Sequence, residues 1–310
     1  MTNEFTHRPV LLNETIDALN PKEGGIYIDG TYGRGGHAGE ILKRIGTTGR
    51  LLAIDKDEEA VAEARRQFKL DKRFSIERGS FALLKQIAAS QNCVGQVDGI
   101  LLDLGVSSPQ LDDPDRGFSF KQDGPLDMRM DRSAGMSAAQ WIAIAGESEI
   151  SSVLKEYGEE KFARRIARAI VEKREADPIE TTAQLARIIS DASPFHERNK
   201  DPATRSFQAI RIFVNNELGD LKDCLSQVLD VLADGGRLVV ISFHSLEDRI
   251  VKRFMREKSK GDEFPLGLPI MHSELKPQLR LVGKARRANK SETDANPRAR
   301  SAMWRVAEKL

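Results

Sequence analysis

Between Ile26 and Ile45 the chain reads IYIDGTYGRGGHAGEILKRI, and this stretch narrows the possible folds more than any other. A short apolar run, Ile26-Tyr27-Ile28, ends on a carboxylate, Asp29. Gly30, Gly33, Gly35 and Gly36 follow, and then Ala38, Ile41, Leu42 and Ile45 recur at helical spacing. The order is strand, glycine turn, helix. Glycine supplies positive φ angles and lets a ligand approach bare backbone. The helix start beyond it offers unpaired N–H groups and a positive dipole end. One or two glycines would be enough for the turn, so four predict a ligand lying over it.

The glycines leave the identity of that ligand open. Gly33-x-Gly35-x-x-Ala38 satisfies the dinucleotide fingerprint, and Asp55 follows in the position of a ribose-binding acid. A nicotinamide oxidoreductase would use the same residues. Against it stands Asp29, a negative charge at the strand tip where a pyrophosphate would come close. A donor with a cationic amino-acid end, such as S-adenosylmethionine, would be attracted by that charge.

The strand-then-helix rhythm repeats. Gly49 to Asp55 is a second apolar run ending in an acid, with a helix over Glu58–Phe68. Phe74–Glu77 is a third strand and Ala82–Ala89 its helix; Val97 to Gly105, containing Asp103, is a fourth. A helix over Asn13–Leu19, capped by Asn13, precedes them. This alternation predicts an α/β fold, a Rossmann-like parallel sheet wound on both faces. It stops at Gln110–Asp131, a segment rich in Asp, Gly and Pro that reads as a lid or binding loop. From Ser137 to about Asn215 the pattern is helical, with Phe162, Ile166 and Ile170 on one face of an expected Gly158–Arg174 helix and Arg164, Arg165 and Arg168 on another. A helix at Leu221–Leu232 and a strand at Gly236–Ser242 resume the rhythm, and Leu279–Val282 and Ser301–Ala307 are weaker strands. The expected domains are 1–109 with 215–310 for the sheet, and 110–214 for an inserted loop and helical region.

Composition limits the setting. Of 310 residues, 40% are hydrophobic and 31% charged, and the formal charge is +1. Lys276–Leu310 holds ten Lys/Arg against three acids, a local +7 that makes this tail a better candidate for nucleic-acid phosphates than the arginine face of the helical region. Cys93 and Cys224 show no metal-ligand spacing and read as reduced thiols. There is no signal-peptide pattern at MTNEFTHRPV and no membrane-length apolar run, which predicts a cytoplasmic protein.

Sites in open α/β sheets lie beyond the carboxyl ends of the strands. Asp29, Asp55, Phe81, Asp103 and His244 fall there. Asp55 suits ribose hydroxyls, with helix capping as the plainer alternative, although Asp57 could cap instead. Phe81 suits an adenine face as well as it suits the core. Asp103 leads into Leu104-Gly105-Val106-Ser107-Ser108-Pro109-Gln110, where amino-methyltransferases keep an acid or amide followed by prolines. The lone pair of an exocyclic base amine is delocalised into the ring. Acceptors at its hydrogens favour the pyramidal geometry needed for attack, and orientation then lowers the barrier. A histidine such as His244 is more often structural than catalytic. No C-x-x-C or H-E-x-x-H motif is present, and no metal is expected.

Six stretches together resemble the MraW methyltransferase family: His7-x-Pro9-Val10-Leu11-Leu12, Asp29 to His37, Asp103 to Gln110, Arg116 to Phe120, Asp123 to Asp131 and Ser242 to Arg249. The resemblance spans Thr6 to about Glu308. It implies a class I S-adenosylmethionine-dependent fold with an inserted helical domain, and N4-methylation of a cytosine in the decoding centre of 16S rRNA, in the 30S subunit or an assembling particle. A homodimer is one arrangement it allows. By resemblance the cofactor set is Gly35, Gly36, His37, Asp55, Phe81, Asp103 and Gln110, to which the residue reading adds Asp29 and Gly33. Asp103, Ser107, Ser108, Pro109 and His244 fall on the substrate side. Ala38 stands where the family has serine, Ser206 where it has threonine, and Met303-Trp304 where Lys-Leu is usual. A DNA amino-methyltransferase would share the chemistry, and a non-enzymatic ribosome-assembly factor would share the RNA.

Overall fold

The computed structural model describes residues 9–194, 201–261 and 276–310; His7 and Arg8 of the first motif, and 195–200 of the helical region, lie outside them. Along the chain come α1 (Leu12–Leu19), β1 (Ile26–Asp29), α2 (Gly36–Arg44), β2 (Arg50–Asp55), α3 (Glu58–Gln67), β3 (Phe74–Arg78), α4 (Leu84–Ser90) and β4 (Val97–Asp103). Next are α5 (Ser108–Asp112), α6 (Ala138–Ile144), α7 (Glu147–Gly158), α8 (Ala163–Ala176), α9 (Thr182–Ala192), α10 (Ala203–Val214) and α11 (Glu217–Val231). Then follow β5 (Leu232–Ser242), α12 (Ser245–Lys260), β6 (Leu279–Leu281), β7 (Arg286–Arg287), α13 (Lys290–Ala295) and β8 (Met303–Lys309). The chain forms two compact units, one of residues 1–105 and 218–310, the other of 106–217. The Val106–Pro109 turn therefore belongs with the helical residues, not with the sheet as the sequence suggested.

In the first unit the strand order is β3-β2-β1-β4-β5-β8-β6, with β7 also paired to β8. The first five strands are parallel, and β8 runs antiparallel between β5 and β6. The order reverses between β1 and β4, the switch point beside which doubly wound sheets bind ligands. Apolar side chains line both faces. Ile28, Ile54, Ile100, Leu102 and Val240 pack under α4, α11 and α12 through Leu84, Leu225, Val228 and Val251. On the opposite face Tyr27, Leu51, Ala53, Leu101, Val239 and Ile241 meet Ile16, Leu19, Ala38, Ile41 and Ala64. Burial on both faces explains why these strands read as continuous apolar runs. Each buried Val, Leu or Ile among them contributes roughly 1.5–3 kcal/mol.

The second unit has its own core, built from Trp141, Ile142, Ile150, Leu154, Ile166, Ile170, Leu185, Ile189, Phe207 and Ile210. The expected Gly158–Arg174 helix is broken: α7 ends at Gly158, where a Cβ would come within 2.6 Å of the Arg205 carbonyl oxygen. Glu159 turns left-handed (φ 49°), and α8 starts afresh at Ala163. The Gln110–Asp131 stretch is no free lid. Arg116 is buried and donates to the carbonyls of Arg129 and Met130. Asn215 accepts from Met130 N (2.7 Å) and donates to the Met128 carbonyl (2.8 Å), and Leu126 N donates to the Glu180 carbonyl.

At α1 the cap expected from Asn13 is absent; Leu11, left-handed at φ 54°, precedes the helix and Asn13 lies within it. No helix among the described residues is long and apolar enough to cross a membrane.

Candidate active site at the sheet's carboxyl rim

Three carboxylates crown the ends of β1, β2 and β4. Asp29 is buried, and its Oδ1 accepts from Thr31 N at 3.2 Å. Asp55 accepts from Gly33 N and from Asp57 N, both at 2.8 Å, so it ties the glycine turn to the end of β2. Asp57 caps α3 by accepting from Glu59 N, which leaves Asp55 free of that duty. Because Asp29 pairs with Leu101, β4 runs two residues past β1 and carries Asp103 beyond the rim. The Asp103 N–H donates to Thr31 Oγ1 at 2.6 Å, which locks the two tips together. His37, at the start of α2, is buried with Nδ1 3.7 Å from Asp103 Oδ2. Asp103 Oδ1 is buried and meets no hydrogen-bond partner among the described residues, while 23% of the side chain still reaches solvent.

Two of the four glycines prove to have a reason inside the protein. Gly35 caps α2 at φ 73°, and a Cβ there would strike the Tyr32 hydroxyl at 2.5 Å. A Cβ on Gly36 would lie 2.1 Å from Pro9 Cγ. The glycine count therefore does not by itself require a ligand, contrary to the sequence argument. The carboxylates supply the stronger case. Burial raises Asp29 to about 7, with the Asp55 charge adding to the shift and the Thr31 N–H opposing it. Burial also raises Asp55 to about 6, against the hydrogen bonds from Asp57 and Gly33. Asp103 lies well above the usual carboxylate range, first from burial and then from Asp29 and Glu247. Three clustered acids whose charges destabilise one another form a rim that repels a pyrophosphate and favours a cation. The start of α2 adds N–H donors with no side-chain cap.

Phe81 opens a short 3-10 turn after β3, and its Cβ lies 3.5 Å from the point where Gly30 would carry one. The ring is thus partly buried beside the tip of β1. His244 precedes α12, with Nε2 3.1 Å from Glu247 Oε1, and Glu247 Oε2 accepts from Phe243 N at 2.8 Å. That geometry favours the plainer, capping role. Sequence reasoning overlooked Thr31; its only signal was a hydroxyl two residues beyond a strand-ending acid.

In the second unit Ser107 is the cap of α5 and Pro109 stands in its first turn. Gln110 is buried, and its Oε1 accepts from Ser107 N at 2.9 Å, closing a capping box. Ser108 is buried beside it. The structure thus gives Gln110 a local task that the sequence reading did not foresee.

The parallel sheet with its antiparallel β8, and acids at the tips of β1, β2 and β4 around a glycine turn, define the class: a Rossmann-like, S-adenosylmethionine-dependent methyltransferase. The family model for the MraW methylases matches residues 4–310. The chain belongs to the MraW methylase family, which removes the nicotinamide alternative. The ribosomal RNA small subunit methyltransferase H of Thioalkalivibrio sulfidiphilus is 61% identical over 98% of this chain and 97% of its own. The protein of the same name from Legionella pneumophila strain Paris is 57% identical over 98% and 99%. Among solved structures, an rRNA methylase from Streptococcus thermophilus shares 10% identity over 96% of this chain and 93% of its own, with a TM-score of 0.41.

Proposed function

We propose that the chain transfers a methyl group from S-adenosylmethionine to N4 of one cytosine in 16S rRNA, the decoding-centre base that contacts P-site mRNA. The observation that carries this reading is Asp103: a buried oxygen with no hydrogen-bond partner among the described residues, at the tip of β4, held by Thr31 beside the start of α2. The names borne by relatives at 57–61% identity support ribosomal RNA as substrate.

The residues present fit the donor. Asp29 matches an ammonium group, Asp55 the ribose hydroxyls and Phe81 an adenine face, with Gly33, Gly35, Gly36 and His37 forming the floor. S-adenosylmethionine supplies an electrophilic methyl group on a sulfonium centre. Asp103 receives the cytosine amine through its hydrogens and turns the nitrogen lone pair out of conjugation. Only the carboxylate form can do this for both hydrogens, and cationic groups alongside return Asp29 and Asp103 toward that form. Gln110 holds the turn of Ser107, Ser108 and Pro109, which follows β4 in the chain. The target must be unpaired or extruded. His244 takes no part in the reaction in this reading.

Tritium from the labelled methyl donor should enter 30S subunits or 16S rRNA with the wild-type protein, and not duplex DNA. Asp103→Ala should lose about a hundredfold or more of turnover while still binding S-adenosylhomocysteine. Incorporation into DNA alone, or near-normal turnover by the variant, would refute the reading. Binding of rRNA without incorporation would identify an assembly factor instead.

A further inference from the structure

We infer that Lys284, Arg286, Arg287, Lys290 and Arg300 form a phosphate-binding strip that holds the RNA backbone beside the target nucleotide. This rests on the rRNA reading above and assigns a surface to it. Strand register places the strip: Asp103 pairs with Ile241, Ile241 with Trp304, and Trp304 with Arg286. Directly paired residues share a face of a sheet, so Arg286 emerges on the same face as Asp103. Three inter-strand steps of about 4.8 Å separate them, roughly 14 Å in all. Arg287, paired with Met303 and through it with Ser242, sits at the carboxyl end of β5, on the rim that carries the acids.

The segment is seated firmly. Ala299 and Ala302 are buried in the same core as Val10, Leu11 and Ile41. Glu292 turns inward to accept from Leu11 N, and Pro9, two residues before Leu11, abuts Gly36. The basic side chains point outward: Lys284, Arg286, Arg287, Lys290 and Arg300 are all exposed, and none pairs with a carboxylate among the described residues. Their neighbours differ, since Arg280 pairs with Glu308, Arg305 with Asp248 and Lys309 with Asp234. The Arg286 guanidinium lies 5.8 Å from the Trp304 ring centre, an arrangement that pre-orders its planar fork for phosphate oxygens. Uncompensated cations along the β7 edge, Arg286 on the face of Asp103 and Arg287 on the opposite face at the same rim, fit a single polyanionic strand that follows this edge.

The test compares K284Q/R286Q/R287Q with wild type and with R65Q/K69Q/K72Q, which removes the same charge from the last turn of α3 and the residues just after it. Binding of a cytosine-containing single-stranded RNA is followed by fluorescence anisotropy from 50 to 200 mM salt. At about 0.7 in salt slope per phosphate contact on a single strand, three lost contacts lower the slope by about 2. The wild-type advantage should then shrink roughly 20-fold across that fourfold salt range. The control should keep the wild-type slope, and S-adenosylhomocysteine affinity should be unchanged in all three. R287Q alone should lower the slope by about 0.7 and covers the case in which loss of the Arg286–Trp304 contact unfolds the triple variant. Equal slopes for the triple variant and wild type, or an equal fall in the control, would overturn the strip. Methyl incorporation into 30S particles is read from the same preparations. Wild type that incorporates methyl while the strip variants bind normally refutes the strip alone. Wild type that incorporates none refutes the rRNA reading, and the salt slopes then judge the strip by themselves.

Discussion

Replacing Asp29 by asparagine should make the protein more stable at alkaline pH and worse at its work. The side chain keeps its shape and can still accept from Thr31 N, but it no longer carries the charge that burial and Asp55 penalise. The Asp29 carboxyl is raised from 3.8 to about 7 in the folded protein. A raised acid contributes stability while protonated, and that contribution is lost as pH climbs through the folded value. Between pH 5 and 8.5 the unfolded carboxyl is already ionised, whereas the folded one must ionise over about two pH units. At 1.36 kcal/mol per unit this is about 3 kcal/mol. The gain of Asp29→Asn over wild type in urea unfolding should therefore be about 3 kcal/mol larger at pH 8.5 than at pH 5. Comparing the two pH values cancels changes in packing. Calorimetry at pH 8.5 should meanwhile show weaker binding of S-adenosylhomocysteine to the variant. A gain independent of pH, or greater relative stability of the variant at pH 5, would show that Asp29 is not held as a strained carboxylate.

Three further outcomes follow from the same rim. In wild type, affinity for S-adenosylhomocysteine should rise from pH 5.5 to 8 as Asp55 (about 6) and Asp29 (about 7) ionise, with proton release seen as a buffer-dependent heat at pH 6.5; a flat profile would contradict it. Gly36→Ala drives a methyl into Pro9 Cγ and should cost about 1–3 kcal/mol in urea unfolding along with donor affinity; an unchanged midpoint would show that Pro9 yields. Thr31→Val strands the Asp103 N–H and should cost about 1–3 kcal/mol, with turnover falling more than donor affinity and Thr31→Ser restoring both; equal effects from Val and Ser would point to shape, not the hydrogen bond.

The acids of this site were legible in the sequence for a physical reason. Strands buried on both faces read as unbroken apolar runs, so the residue that ends each run is conspicuous, and Asp29, Asp55 and Asp103 are such residues. What could not be read depends on partners distant in sequence. The link between Thr31 and Asp103 exists because β4 runs two residues beyond β1, an offset set by pairing alone. The glycines were credited to a ligand because Pro9 against Gly36 is a contact across 27 positions of chain (36 − 9). Asn215 from outside and the buried Arg116 from within fasten the 110–131 stretch, whose composition looked like that of a lid. Periodicity carried the expected helix through Gly158, since a helical pattern does not reveal a neighbouring carbonyl such as that of Arg205.

The measurement closest to the central claim is mass-spectrometric mapping of 16S rRNA after incubation of unmethylated 30S particles with the donor and either wild-type or Asp103→Ala protein. One cytosine in the decoding centre should gain a single methyl on its exocyclic nitrogen with wild type, and remain almost unmodified with the variant. A methyl found on ring carbon 5, on a different base, or at equal yield with both proteins would contradict the role given to Asp103.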